Sequence, residues 1–131
     1  MTSTVDLLAA LCTHLAEFEL PTIASVHAAA SISAPQVIVQ LAGHEPSVIA
    51  RGLLAWADTL TEVTAQIWRV PHGDSVHPSV SGLLPDGASV LVYGGLWASN
   101  RGLGADLAPN ATTTIPLAAL RHAATEVEAS A

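Results

Sequence analysis

The chain has 131 residues, half of them hydrophobic and only 11% charged, with a mean hydropathy of +0.48. That length suits one domain around one core. Four arginines, no lysine and eleven acids give a formal charge of −7, which argues against binding nucleic acids or anionic membranes and excludes a Walker-type phosphate loop or a Schiff-base lysine.

Residues 4–18 read as an amphipathic helix. Ser3 or Thr4 can cap it, and Asp6 in the first turn suits the exposed N–H groups there. Leu8, Leu11, Leu15 and Phe18 fall at spacings of three and four and form the apolar stripe. Cys12 adjoins that stripe as a small packing residue. His14 is expected to be partly exposed, as is His122 later in the chain. Pro21 ends the pattern. The first twenty residues have no basic segment, and Asp6, His14, Glu17 and Glu19 interrupt any apolar run, so no secretory leader is expected. No window reaches the roughly 18 apolar residues of a membrane span. One cysteine allows no internal disulfide, which fits a cytoplasmic protein.

Residues 22–33 alternate. Ala24, Val26, Ala28, Ala30 and Ile32 share one face, and Ser25, His27, Ala29, Ser31 and Ser33 the other, as in a half-buried strand. A turn at Ala34-Pro35-Gln36 leads to a partner strand over 37–41. Pro46 then opens a helix at its first position, with Ile49, Leu53, Trp56 and Leu60 aligned for burial. His44 and Glu45 are accounted for as its cap rather than as an anion site. Strands follow over 63–70, 76–84 and 89–93. Leu84-Pro85-Asp86-Gly87 makes the second of their turns, so the three form an antiparallel meander. Residues 94–111 form a glycine-rich connection of the length that is usually functional or laid against another surface. A short edge strand over 112–115 and a helix from Pro116, striped by Leu117, Leu120, Ala124 and Val127, complete the chain, with 126–131 a frayed tail.

The order α-β-β-α-β-β-β-(β)-α predicts a single α+β domain spanning 1–131. It is a two-layer sandwich with five or six mostly antiparallel strands and the helices on one face. The opposite face is then open. It carries Ser25, His27, Ser31 and Gln40, or Thr64, Gln66 and Trp68, depending on register.

The stretch WRVPHGDSVH (68–77) concentrates the chemistry. With Gly73-Asp74 as a two-residue turn, His72 faces Ser75 and Val70 faces His77. A zinc site needs three or four ligands converging at roughly 2.0–2.3 Å. Here His27, His72, Asp74 and His77 are a weak polar set, best read as a hairpin with an Asx-type turn. Ser75 lacks the sharp-turn context of a hydrolase nucleophile, and Asp74 looks solvated. No metal, cofactor or catalytic residue is therefore expected.

Trp68 and Arg69, with Trp97 and Arg101 in the glycine-rich loop, combine the residue types enriched at interface hot spots. So little surface charge suggests that part of the surface is covered. The leading expectation is thus a non-enzymatic interaction or regulatory module that self-associates, most simply as a homodimer, with a further protein partner conceivable. The alternative is a small-molecule-binding protein or small enzyme with a pocket under the 94–111 loop, using His77, His27 or Asp106. A third reading, an acidic inhibitor of a nucleic-acid enzyme, would need the acids clustered on one face, and along the chain they are dispersed.

The segments LLAALCTHLAEFELP, LLAWADTLTEVTAQIWRVPHGDSVHPSVSG and VYGGLWASNRGLGADLAPNATTTIPLAALR give nearly the whole chain a style that resembles small uncharacterised cytoplasmic proteins of high-GC actinobacteria such as streptomycetes. The resemblance implies a bacterial cytoplasmic protein and brings no activity, cofactor or site residue with it.

Overall fold

The computed structural model of the protein describes residues 3–29, 35–99 and 102–125. The elements run α1 (Thr4–Glu17), β1 (Ile23–Ala29), β2 (Gln36–Leu41), α2 (Pro46–Ala57), β3 (Thr61–Arg69), β4 (Ser75–Leu83), β5 (Ser89–Tyr93), β6 (Leu96–Trp97), β7 (Thr112–Ile115) and α3 (Leu117–Thr125). They build an α+β sandwich on a seven-stranded sheet ordered β1-β2-β5-β4-β3-β7, with β6 beside β4. All pairings are antiparallel except β2 with β5. That parallel pair arises because α2 carries the chain from β2 to the far strand β3, and two hairpins then return it to β2's side.

Alternation decides which face is buried. Val37, Val39 and Leu41 of β2, Ala65 and Ile67 of β3, Val76 and Val80 of β4, and Val90 and Val92 of β5 are all buried. They form one core with Leu7 and Leu11 of α1, Ile49, Leu53 and Trp56 of α2, and Leu120 of α3. Trp56 is fully buried and anchors the helical layer; truncating a core tryptophan costs about 3–5 kcal/mol. Gly94 lets α2 approach the sheet, since a Cβ there would lie 2.6 Å from Ile49 Cγ2.

Helix α1 is capped as its sequence suggests. Ser3 Oγ accepts from the Asp6 N–H, and Asp6 accepts from the Ser3 N–H. Its buried stripe, however, is Leu7, Leu11 and His14, while Leu8 and Phe18 stay partly exposed. His14 is therefore not a surface histidine: it is 2% exposed. The 7-11-14 and 8-11-15 stripes both combine one spacing of three with one of four, and the first is the one that sets His14 against Trp56 of α2 and Thr59 in the turn after it. Cys12 falls on the exposed side, contrary to its reading as a packing residue. Glu45 is the N-cap of α2 but makes no side-chain capping bond.

The β3–β4 hairpin also differs from the sequence reading. Trp68 pairs with His77 and Arg69 with Val76, so the connection is the four-residue Pro71-His72-Gly73-Asp74, closed by a Gly73 N–H to Val70 O bond of 2.8 Å. The slip is two residues. Because side chains alternate with period two, every residue keeps its face.

The 94–111 connection is partly a strand. β6 continues β5 in the same register against β4, broken where Pro78 has no N–H to donate. Beyond it, Leu103 and Leu107 pack on the core, and Gly104 lies close on Ile67 and Val76. The loop thus covers the helix side of the sheet. Arg101, Ser31 and the 126–131 tail lie outside the described residues. No helix among the described residues is long and apolar enough to cross a membrane.

Candidate functional site: the open sheet face

With the helices and the loop on one side, the other side of the sheet is uncovered. The registers place Ser25, Gln40, Tyr93, Ser79, Gln66 and Thr114 in one row across six strands. A second row runs His27, Ile38, Leu91, Ser81 and Thr64. The described members of the two sets that the sequence presents as alternatives, Ser25, His27 and Gln40 with Thr64, Gln66 and Trp68, thus share one face. Within it, Ser25 Oγ donates to Gln40 Oε1 at 3.0 Å.

This face carries almost no charge. Among the described acids, Asp6, Glu17, Glu19, Glu45, Asp58, Asp74, Asp86 and Asp106 lie on helices, turns or loops, and only Glu62, at the bulged start of β3, is in a strand. Those acids are dispersed. Arg51 and Arg121 sit on helices.

One end of the face is aromatic. Trp68 meets the directly opposed His77 edge to face, with ring centroids 5.3 Å apart. His77 stacks on Tyr93 at 5.4 Å and 24°. Trp68 Nε1 donates to Asn110 Oδ1 at 3.3 Å, which fixes the indole. Desolvation by burial holds His77 below the ordinary imidazole range, so it is neutral near pH 7. Beside this stack, His44, Ser75, His77, Gly95, Leu96 and Trp97 line a cleft of about 190 Å³. Trp97 is 73% exposed there.

The remaining candidates fall elsewhere. Arg69 is on the opposite side of the sheet from Trp68, as adjacent strand residues must be. Its Nε donates to Gly73 O and one terminal nitrogen to Leu107 O, both at 2.9 Å, tying the hairpin to the loop. It braces the fold and does not meet Trp68, whose ring partner is His77, edge to face. His72 and Asp74 are exposed at the hairpin tip. His27 is three strands from His77 and its row crosses β4 four residues away, at Ser81, which makes about 20 Å at normal strand spacing and rise. Asp106 is on the exposed loop over the helix side, so the supposed pocket does not unite it with His77 or His27.

Among the described residues, no group of three or more His, Cys, Asp or Glu could hold a metal ion. The aromatic stack surrounds His77 with rings rather than with an orienting carboxylate, so Ser75 and His77 do not make a charge-relay pair. Tyr93 was not singled out by sequence reasoning, and His44 was weighed only with Glu45 at the start of α2. Tyr93 was within reach, because alternation over 89–93 puts it opposite the buried Val92.

Comparisons with protein-family models, with curated proteins and with solved structures found no match to this chain.

Proposed function

We propose that the protein is a self-associating interaction module, and that a second copy of the chain covers the open sheet face. The observation that carries this reading is the near absence of charge on that face. Two copies each carrying −7 repel, and a neutral surface is where they meet at least cost. Hydroxyl and amide rungs supply hydrogen bonds that need no desolvated ion, while Trp68, His77, Tyr93 and Trp97 supply the large contact groups typical of interface centres. Six strands span roughly 24 Å, so the face is comparable with the ~800 Å² that each partner contributes to a standard interface. A cytoplasmic setting goes with this reading.

Sedimentation velocity at high micromolar concentration tests it. The wild-type chain should be a dimer, and Ser79→Glu, which puts a carboxylate at the middle of the face, should be a folded monomer. A monomeric wild type overturns the proposal.

The exposed Trp97 beside its cleft favours a second reading, capture of a planar small molecule. A thermal-shift screen in which one compound raises Tm, and Trp97→Ala abolishes the rise, would support it.

A further inference from the structure

The cleft at the aromatic end of the sheet face gathers polar and aromatic side chains from three segments. Ser75 and His77, two residues apart on β4, point to the same side. Ser75 is directly opposed to Trp97 of β6, and His44 joins them from the segment before α2. Trp97 leaves most of its indole uncovered, at 73% exposure. An uncovered indole beside a hydroxyl and two imidazoles suits a flat, polar-edged ring.

Gly95 decides which atom of His77 meets the cleft. A Cβ at this position would lie 3.8 Å from His77 Nε2 and 3.9 Å from its Cδ2, both ordinary contact distances. The Gly95 backbone is outside the left-handed region, so neither its conformation nor its packing demands a glycine. The missing side chain instead leaves Nε2 open towards the cleft. The described residues give neither nitrogen of His77 a hydrogen-bond partner; its contacts are the rings of Trp68 and Tyr93. A neutral imidazole carries one N–H and one bare nitrogen, so Nε2 either donates or accepts.

Size and charge narrow the occupant. The volume of about 190 Å³ is a little above the ~150 Å³ that accommodates benzene, so one ring or two fused rings fit and a nucleotide does not. Among the described residues, no acid or arginine lines the cleft. The chain has no lysine, and Arg69 is engaged with Gly73 and Leu107 on the other side of the sheet. A phosphate or carboxylate would find no counter-charge there, and an ammonium no carboxylate.

We infer that this cleft binds a neutral planar nitrogen heterocycle of one or two rings, stacked on Trp97 and hydrogen-bonded through a ring nitrogen to His77 Nε2. This selectivity rests on the second reading above, that the cleft takes up planar small molecules.

Benzimidazole offers both an N–H and a bare ring nitrogen, and so suits either state of Nε2. Titrated into the full chain in mildly alkaline buffer and followed by NMR, it should saturably shift the Trp97 indole N–H and residues 75–77 and 95–97. 1-Methylindole, a flat bicycle with neither group, should bind about tenfold more weakly, the loss of roughly one hydrogen bond. Gly95→Ala, which sets a methyl against Nε2, should melt as wild type and lose that preference. His77→Phe, which keeps a ring between Trp68 and Tyr93, should lose it too. Equal binding of the two bicycles by the wild type, or a preference retained in either variant, overturns the inference and leaves planar capture standing. Absence of saturable binding by both compounds overturns the two together.

Discussion

Gly94 and Ile49 are in contact so close that a single added methyl would fall inside it, 2.6 Å from Ile49 Cγ2 and 2.8 Å from Cδ1. The sheet and α2 meet at this point, and Gly94 is also where β5 passes into β6. Gly94→Ala should therefore destabilise by about 1–3 kcal/mol through overpacking. In an Ile49→Ala background the same change should cost much less, because the methyl then enters vacated space. Urea denaturation of the four proteins in that double-mutant cycle measures the coupling. Additive effects would mean that the two residues do not constrain each other.

Acid should weaken the fold before it titrates the carboxylates. Burial lowers the folded-state pKa of both His14 and His77, with Glu17 opposing it less strongly at His14. In the unfolded chain both groups take up a proton near the ordinary value of 6.5. Between that value and the lower folded one, the unfolded state binds more protons, so stability falls as pH falls. Above about pH 6.5 the contribution is complete. Melting curves from pH 8 to pH 5 should show Tm dropping below that point, and His77→Gln should flatten part of the drop. A Tm constant across this range would contradict the assignment.

Arg69 should behave as a brace. Its guanidinium holds two carbonyl oxygens, on Gly73 and Leu107. Arg69→Met keeps the stem but leaves both acceptors without that donor, at a cost of about 1–3 kcal/mol each where they are shielded from water. Protease should then cut preferentially within 102–110, and the fragment masses would show it. Wild-type resistance would assign the loop's order to Leu103 and Leu107 alone.

Trp97 should separate stability from association. At 73% exposure, its replacement by alanine should change unfolding free energy by no more than about 0.5 kcal/mol. If it is a hot spot at the contact between copies, the same change costs about 2 kcal/mol of binding, roughly 30-fold in Kd. Sedimentation equilibrium and urea denaturation on one preparation test both halves.

Much of the candidate site was legible before any coordinates. Alternation over 22–33 put Ser25 and His27 together on one face, with the register left to decide whether that set or the one with Gln66 and Trp68 lay on the open side, and the hairpin stretch put His77 and Trp68 on adjoining strands. Grouping Arg69 with Trp68 was the avoidable error, since neighbours on a strand point to opposite faces. The placing of His77 between Trp68, which it meets edge to face, and Tyr93, on which it stacks, was not available locally. It depends on a four-residue turn and on β5 settling beside β4.

What the chain determined by itself is local. Pro46 with Ile49, Leu53 and Trp56 specifies α2, Leu84-Pro85-Asp86-Gly87 specifies a turn, and the alternating segments specify strands, because each depends on residues a few positions apart. Tertiary structure decided the rest: the parallel β2–β5 pair, the burial of His14 against a threonine 45 residues away, and the loop folded onto the helix side. Contacts between distant segments are chosen by which surfaces remain to be buried once every element competes for the same core, and no short window of sequence contains that competition.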